Sequence, residues 1–501
     1  MNGKSELPEG WANAFLSEII IHALGGEWGK DIQTENTNEN ALVKVIRGTE
    51  FKNWEKDRDK TAALRLIKKN SLFKRNLKCG DIVVEISGGG PEQPVGRSLI
   101  IDQETLKNSK YPLICSNFCR QIRINPEIDS SFVNYCLKYA YSKGDFIRFQ
   151  SQSINIRNLN FNDFVNNTPI PLPPLAEQRR IVGAVEALLT QVNASRERLD
   201  RVPGLLKAFR QAVLAAACSG RLTEGWREEN FEKSISQIEI DQNDTIINPK
   251  IPATWQITQL FKLTDLTSGF AFKKSEYSQN GIRLLQIANV SFGKIIWDDL
   301  AYLPHNYLEK YPNLCLKPGD ILMALNRPIL GNNLKIGILK NSDTPAILYQ
   351  RVGRFDVFNQ DLKPYLYLFL NSPFFILNLQ KDLQGVDQPF IRKPKLLNIS
   401  VPLPPLPEQH EIVRRVESLF ALADSIEQRV ATGKERADRL TQTILAKAFR
   451  GELVPTEAEL AKKERREYEP ASVLLKRIRE EKEKDNAKVK KRSRQKKDLS
   501  K

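Results

Sequence analysis

Residues 170–189 read IPLPPLAEQRRIVGAVEALL, and residues 401–420 read VPLPPLPEQHEIVRRVESLF. The two stretches lie 231 residues apart and align without a gap, with twelve of their twenty positions identical. The register continues to Gly220-Arg221-Leu222 against Gly451-Glu452-Leu453. Each copy opens as a proline run and turns into a helix pattern. Self-similarity at one fixed spacing decides architecture before any local reading, and this period is far too long for a solenoid. It predicts a chain laid out as globule, helix, globule, helix, with an approximate internal twofold repeat.

Within the repeat, Pro171, Pro173 and Pro174, like Pro402, Pro404 and Pro405, exclude α structure and set an extended lead-in. Helix is predicted from about Ala176 and from Pro407, where proline suits a first helical position. Glu177 and Glu408 fall in the first turn, where the macrodipole favours a carboxylate. Beyond them Ile181, Val185, Leu188, Val192 and Leu199 begin a heptad that continues through Leu206, Phe209 and Val213. Ile412, Val416, Leu419, Ile426 and Val430 repeat it, continuing through Ala437, Leu440 and Ile444. Such spacing, with charges between, predicts a coiled-coil seam in which the two helices pair antiparallel. The competing reading is an amphipathic helix packed on its own globule. Pro203-Gly204 should kink the first helix or divide it. The 38 residues from Glu177 to Leu214 would span ~57 Å at the α-helical rise, more than one DNA turn of about 34 Å.

Outward from the helices, the globules share landmarks. Leu7-Pro8-Glu9-Gly10-Trp11 and Ile251-Pro252-Ala253-Thr254-Trp255 each read as a turn leading into a strand. Leu77-Lys78-Cys79-Gly80-Asp81-Ile82 matches Leu316-Lys317-Pro318-Gly319-Asp320-Ile321, a glycine turn and an aspartate before a short apolar strand. ICSNFCRQIRI (114–124) and ILYQRVGRFDV (347–357) read as strands carrying arginines. The fold class is α+β: two mixed α/β globules at 1–169 and 224–400, spacer helices at 170–223 and 401–455, and a basic tail at 456–501 read as partly disordered.

The 501 residues carry a net charge of +16, and residues 476–501 hold 13 Lys/Arg against 5 Asp/Glu. Half the excess therefore lies in the last 26 residues, and the body remains basic. A polyanionic partner fits that balance, because phosphates neutralised by Lys/Arg release condensed counterions. No apolar run reaches membrane-helix length and the start is no signal peptide, so a cytoplasmic protein is expected. The six cysteines are scattered and read as free structural thiols, and the three histidines have no ligand spacing, so no metal site is expected. There is no nucleophile elbow, no phosphate-binding GxxxxGK[ST], no H-x-E…C-x-x-C and no Asn/Asp-Pro-Pro-Tyr/Phe. No catalytic residue is assigned, and the chain reads as a non-enzyme.

These pieces resemble the specificity (S) subunits of Type I restriction–modification systems. The resemblance is carried by the repeated Pro-Leu-Pro-Pro-Leu-x-Glu-Gln-x-x-Ile-Val with its long helix, and by Leu-Lys-x-Gly-Asp-Ile in each globule. The lead-in segments, Gly-Arg-Leu-Thr-Glu-Gly-Trp-Arg (220–227) and Gly-Glu-Leu-Val-Pro (451–455) add to it. It covers residues 1 to about 480; the basic tail lies outside the pattern. The resemblance implies two target recognition domains at the ends of an antiparallel helical spacer, each reading half of a bipartite, non-palindromic site in double-stranded DNA. It further implies two modification (M) subunits supplying S-adenosylmethionine and adenine methylation. Two restriction (R) subunits would add translocation and cleavage driven by ATP with Mg2+, with no cofactor on this chain.

Base reading needs side chains that reach groove edges, Arg or Lys for guanine and Asn or Gln for adenine. Candidates after the Gly-Asp-Ile landmarks are Arg97, Asn117, Arg120, Gln121 and Arg123 in the first globule. In the second they are Asn326, Arg327, Asn332, Gln350, Arg351 and Arg354. Arg120 and Arg351 stand 231 apart, so they are expected to be equivalent and to share a backbone or structural role. For any single candidate, an ordinary surface or phosphate contact competes with base reading. Other classes remain open: a coiled-coil scaffold joining two protein-binding globules, a self-sufficient methyltransferase, and an S subunit of a system that methylates without cutting.

Overall fold

The computed structural model describes residues 7–33, 38–89, 93–153, 156–230, 251–331 and 333–498, of which 485–498 as backbone. The chain forms two compact units, one spanning Met1–Arg198 with Gly433–Lys501 and the other Leu199–Thr432. The two long helices, Leu175–Cys218 and Leu406–Ala448, each contribute one half to each unit. A compact unit is thus not one globule with its own following helix. Antiparallel pairing exchanges the halves: Arg196 meets Asp438 in the first unit, and Arg210 bridges to Asp424 at 2.6 Å in the second.

Both units repeat one topology. In the first, strand Ala12–Phe15 pairs antiparallel with Pro169–Leu172; in the second, Gln256–Gln259 pairs with Ser400–Leu403. Pro171 and Pro402 are tolerated because each ribbon has only two strands and so only edges. The main sheet of the first unit runs Ile20–Gly25, Cys119–Ile124, Ile82–Glu85, Ser98–Ile100. That of the second runs Thr264–Ser268, Val352–Val357, Ile321–Ala324, Ile336–Ile338, in the same antiparallel order. Beside each lies a smaller mixed sheet, in which Asn40–Ile46 is parallel to Leu113–Cys115 and Ile282–Leu285 is parallel to Ala346–Leu348.

The repeated sequence landmarks have a common local cause. Asp81 and Asp320 each close a tight turn, with Asp81 N–H bonded to Lys78 O at 3.0 Å and Asp320 N–H to Lys317 O at 3.1 Å. Their carboxylates accept the Lys78 and Lys317 N–H groups at 2.7 and 2.8 Å. Gly80 and Gly319 take φ of 84° and 87° at the third position, which a type II turn requires and a side chain opposes. The Glu-Gln of the long-helix repeat is equally local. Gln178 Nε2 and Gln409 Nε2 donate to Pro173 O and Pro404 O at 2.8 Å, holding the proline lead-in against the first turn. Helix begins one residue before the predicted starts, at Leu175 and Leu406.

Ile181, Val185 and Val192 are buried in the first unit with Ile444 and Leu445, and Ile412 and Val416 in the second with Val213 and Leu214. Val430 is also buried, while Leu188, Leu199, Leu419 and Ile426 are half-buried. The heptad reading fails at Phe209 and Leu440, which are 36% and 50% exposed. Each lies four heptads from the first seam residue, and a helix keeping 3.6 residues per turn drifts about 20° per heptad. The other heptad positions on those turns, Val213 and Ile444, stay buried, and Leu214 and Leu445 beside them are buried too. Nor does Pro203 divide its helix: Leu175–Cys218 is one element with Pro203 inside it.

Helix Glu457–Glu464 opens with a Thr456 capping box, and helix Ala471–Asp498 packs Ala471, Leu474, Leu475 and Ile478 into the core of the first unit. Apolar residues spaced i, i+3, i+4 and i+7 over 471–478 cover a face of the globule, so this part of the stretch 456–501 is folded.

Candidate nucleic-acid interface

Sheet register fixes the true equivalences between the units. Ile82 pairs with Ile122, and Ile321, which follows the matching Gly-Asp, pairs with Phe355. Arg120 therefore corresponds to Gly353 and not to Arg351, and Gln121 corresponds to Arg354. The 231-residue offset holds at the strands that lead into the helices but not here, because the intervening loops differ in length.

Several candidates are engaged internally. Gln121 is 1% exposed and donates to Asp81 at 2.7 Å. Arg123 makes a two-pronged bond to the same carboxylate, Nε and Nη2 each at 2.7 Å. Asp81 is thus a buried hub that fixes its own turn and the neighbouring strand Cys119–Ile124. Arg97 grips Glu85 through Nε and Nη2 at 2.8 and 2.6 Å and also reaches Gly48 O. The Arg120 guanidinium lies over the Phe161 ring, 4.4 Å from its centroid. Asn117, beside half-exposed Phe118, is exposed on the turn before strand Cys119–Ile124.

In the second unit Arg354 is bound to Asp356 at 2.6 Å and to Cys315 O. Burial pushes the Asp320 carboxyl upward, against the Lys317 N–H bond and the nearby positive charge of Arg354. Leu325 N–H bonds Arg351 O at 2.8 Å, so the structure brings Asn326 and Arg327 together with Gln350 and Arg351 at one end of the main sheet. Arg327 and Arg351 are exposed and take φ of 45° and 68°. Positive φ at a residue with a side chain is costly and concentrates at functional sites. Arg327 Nη2 donates to Asp387 O at 3.0 Å, alongside exposed Val386. Asn332 lies outside the described residues.

Sequence reasoning missed a buried acceptor that ties each globule to its helix. Trp11 Nε1 donates to Glu177 at 2.9 Å, and Trp255 Nε1 to Glu408 at 2.8 Å. Glu177 also takes the Glu457 N–H at 2.8 Å, whereas Glu408 takes Thr223 Oγ1 and the Arg227 guanidinium. Both carboxylates are fully buried. The signal was present in the repeated Trp and Glu, but nothing in the spacing says that they meet. Among the described residues no cluster of His, Cys, Asp and Glu could hold a metal ion, all six cysteines are free thiols, and no helix is long and apolar enough to cross a membrane.

Two copies of one α/β globule, each hung on paired long helices, define an internally duplicated scaffold. The family model of the Type I restriction modification DNA specificity domain matches residues 8–203 and 252–432. The Type I restriction enzyme EcoKI specificity subunit of Escherichia coli K12 is 33% identical over 458 residues, covering 89% of this chain and 90% of that protein. The MjaVIII specificity subunit of Methanocaldococcus jannaschii is 38% identical over 317 residues, 63% of this chain and 69% of its own length. The solved HsdS subunit from Thermoanaerobacter tengcongensis shares the fold with a TM-score of 0.52 at 21% identity, over 90% of this chain and 99% of that one. A chain from a solved type I R-M system complex aligns with a TM-score of 0.63 at 20% identity, over 89% and 99%. The chain belongs to the Type I restriction–modification specificity subunit family.

Proposed function

We propose that this chain is the DNA-reading subunit of a Type I restriction–modification complex, recognising a bipartite, non-palindromic site with one half read by each globule, 1–169 and 224–400. The observation that carries this reading is a duplicated sheet frame whose side chains differ between the copies. A shared frame supplies the same docking geometry twice, while different surface residues read different half-sites. The positions of His22 and Arg123 in the first main sheet are taken by Asp265 and Asp356 in the second, a reversal of charge on one framework. The paired helices serve as spacer and as the docking frame for two M subunits. Those subunits bind S-adenosylmethionine and methylate, and two R subunits use ATP and Mg2+. This chain binds no cofactor and catalyses nothing, and the complex acts in the cytoplasm.

A long-read methylome of the host with and without this gene tests the proposal. Loss of N6-methyladenine from one two-part motif is expected, and it also yields both half-sites and the gap between them. An unchanged methylome in a host expressing the chain with its M subunit would refute the reading and favour a scaffold.

A further inference from the structure

In the first unit a groove of about 710 Å3 lies between the edge strand Ile20–Gly25 and the helix Lys69–Arg75. Lys69, Lys74, Lys78, Arg123 and His22 line it, and no lining residue is acidic. Among the described residues the three lysines form no ion pair and are exposed. Phe73 stands in the middle of them, 89% exposed.

That exposure does not come from a loose helix. Ser71 bonds Glu27, and Arg75 reaches Ser71 Oγ at 2.7 Å and Gly25 O at 3.0 Å, tying one face to the end of the edge strand. Leu72 packs on the buried cluster of Val43, Val45, Ile67 and Ile114. Residues 71, 72 and 75 are anchored, so 73 and 74 are held outward on the remaining face. A fixed aromatic ring ringed by unpaired ammonium groups is unfavourable in water for the ring and idle for the charges. It suits a surface that is anionic at its rim and offers apolar contact between, as the phosphates flanking a DNA groove and the thymine methyls within it do.

A second feature adjoins it. Helix Ala471–Asp498 crosses the start of the same edge strand, where Lys482 Nζ donates to Ile20 O at 3.1 Å. From Lys484 to Lys497 its sequence carries eight Lys/Arg and one acid, Asp485.

We propose that this groove is where the first globule grips double-stranded DNA: Lys69, Lys74 and Lys78 hold phosphates, and Phe73 makes an apolar contact with base edges of the first half-site. The proposal rests on the DNA-reading function above. It adds residues that lie before the Gly-Asp-Ile landmark, where none of the candidates drawn from the sequence fell.

The test uses the full chain assembled with its M subunits, with DNA affinity measured over a series of salt concentrations. Replacing all three lysines by alanine should lower the salt slope on a mixed-sequence duplex by up to about 2.7, at about 0.9 for each phosphate no longer neutralised. A triple Lys→Arg variant should keep the slope. Phe73→Ala should keep it too, yet bind the cognate site about tenfold more weakly and relax the first half-site in the methylome while the second stays intact. If wild type binds its site and all variants match it in affinity, slope and methylome, the proposal is overturned while the DNA-reading function stands. Failure of the variants to assemble with M would also overturn it, assigning the groove to a protein partner. Absence of DNA binding by the wild-type complex would instead refute the function itself.

Discussion

Glu408→Ala isolates what fastens the second globule to its helix. The carboxylate is fully buried and accepts Trp255 Nε1 at 2.8 Å, Thr223 Oγ1 at 2.7 Å and the Arg227 guanidinium, itself only 14% exposed. Truncation leaves the Trp255 and Thr223 donors without an acceptor and takes the counter-charge from Arg227, which keeps only Thr223 Oγ1 at 3.1 Å. Breaking a buried pair by removing one partner costs about 3–5 kcal/mol, mostly the desolvation of the charge left behind. For a unit the size of Leu199–Thr432, about 4 kcal/mol lowers the melting temperature by about 10 °C. Glu408→Gln keeps an acceptor and should lose about half as much. Removing Arg227 as well should recover part of the loss, because the orphaned charge goes with it. Calorimetry on the four proteins of this cycle decides the matter. A Glu408→Ala melting temperature within 2 °C of wild type, or strict additivity with Arg227→Ala, would refute the argument that this carboxylate is the acceptor holding the junction.

Further outcomes follow from the same geometry. Burial raises the Glu177 carboxyl against the bonds from Glu457 N–H and Trp11. The folded state then binds the proton more tightly than the unfolded chain, so stability falls as pH rises through the unfolded carboxylate value toward the folded one. Glu177→Gln should lose that dependence, as pH-dependent denaturant melts would report. Ile412→Ala should cost about 2–5 kcal/mol in the same melts, while Phe209→Ala and Leu440→Ala, at equivalent but exposed positions, should cost below about 1 kcal/mol. Arg97→Ala strands buried Glu85 and should destabilise the first unit by about 3 kcal/mol. A relaxed half-site with unchanged melting would show instead that Arg97 reads bases. Ending the chain at Pro455 strips Leu474, Leu475 and Ile478 from the core and should make the first unit sensitive to limited proteolysis, whereas ending it at Lys484 should not.

Much of the frame was legible because it is local or periodic. The proline lead-ins, the glycine turns before Ile82 and Ile321, and the long helices are dictated within a few residues by φ restrictions and side-chain spacing. The site was less legible. Gln121, Arg123, Arg97 and Arg354 have the residue types that read DNA, but a type does not reveal that Asp81, Glu85 or Asp356 already holds it. Nothing in KNSLFKR tells that Phe73 is exposed, because that depends on which face of its helix the globule covers.

Sequence by itself determined that the chain is a duplication, that its repeats run from proline strand into long helix, and that its excess positive charge suits a polyanion. Those features depend on neighbours in the chain or on counting. Only the tertiary structure decided that each compact unit borrows half of both helices, that the C-terminal segment is part of the first globule, and that Arg120 matches Gly353 rather than Arg351. These depend on which surfaces meet. Helices of 3.6 residues per turn drift off a seven-residue repeat, apolar faces close on whichever partner covers them, and loop lengths shift strand register between copies.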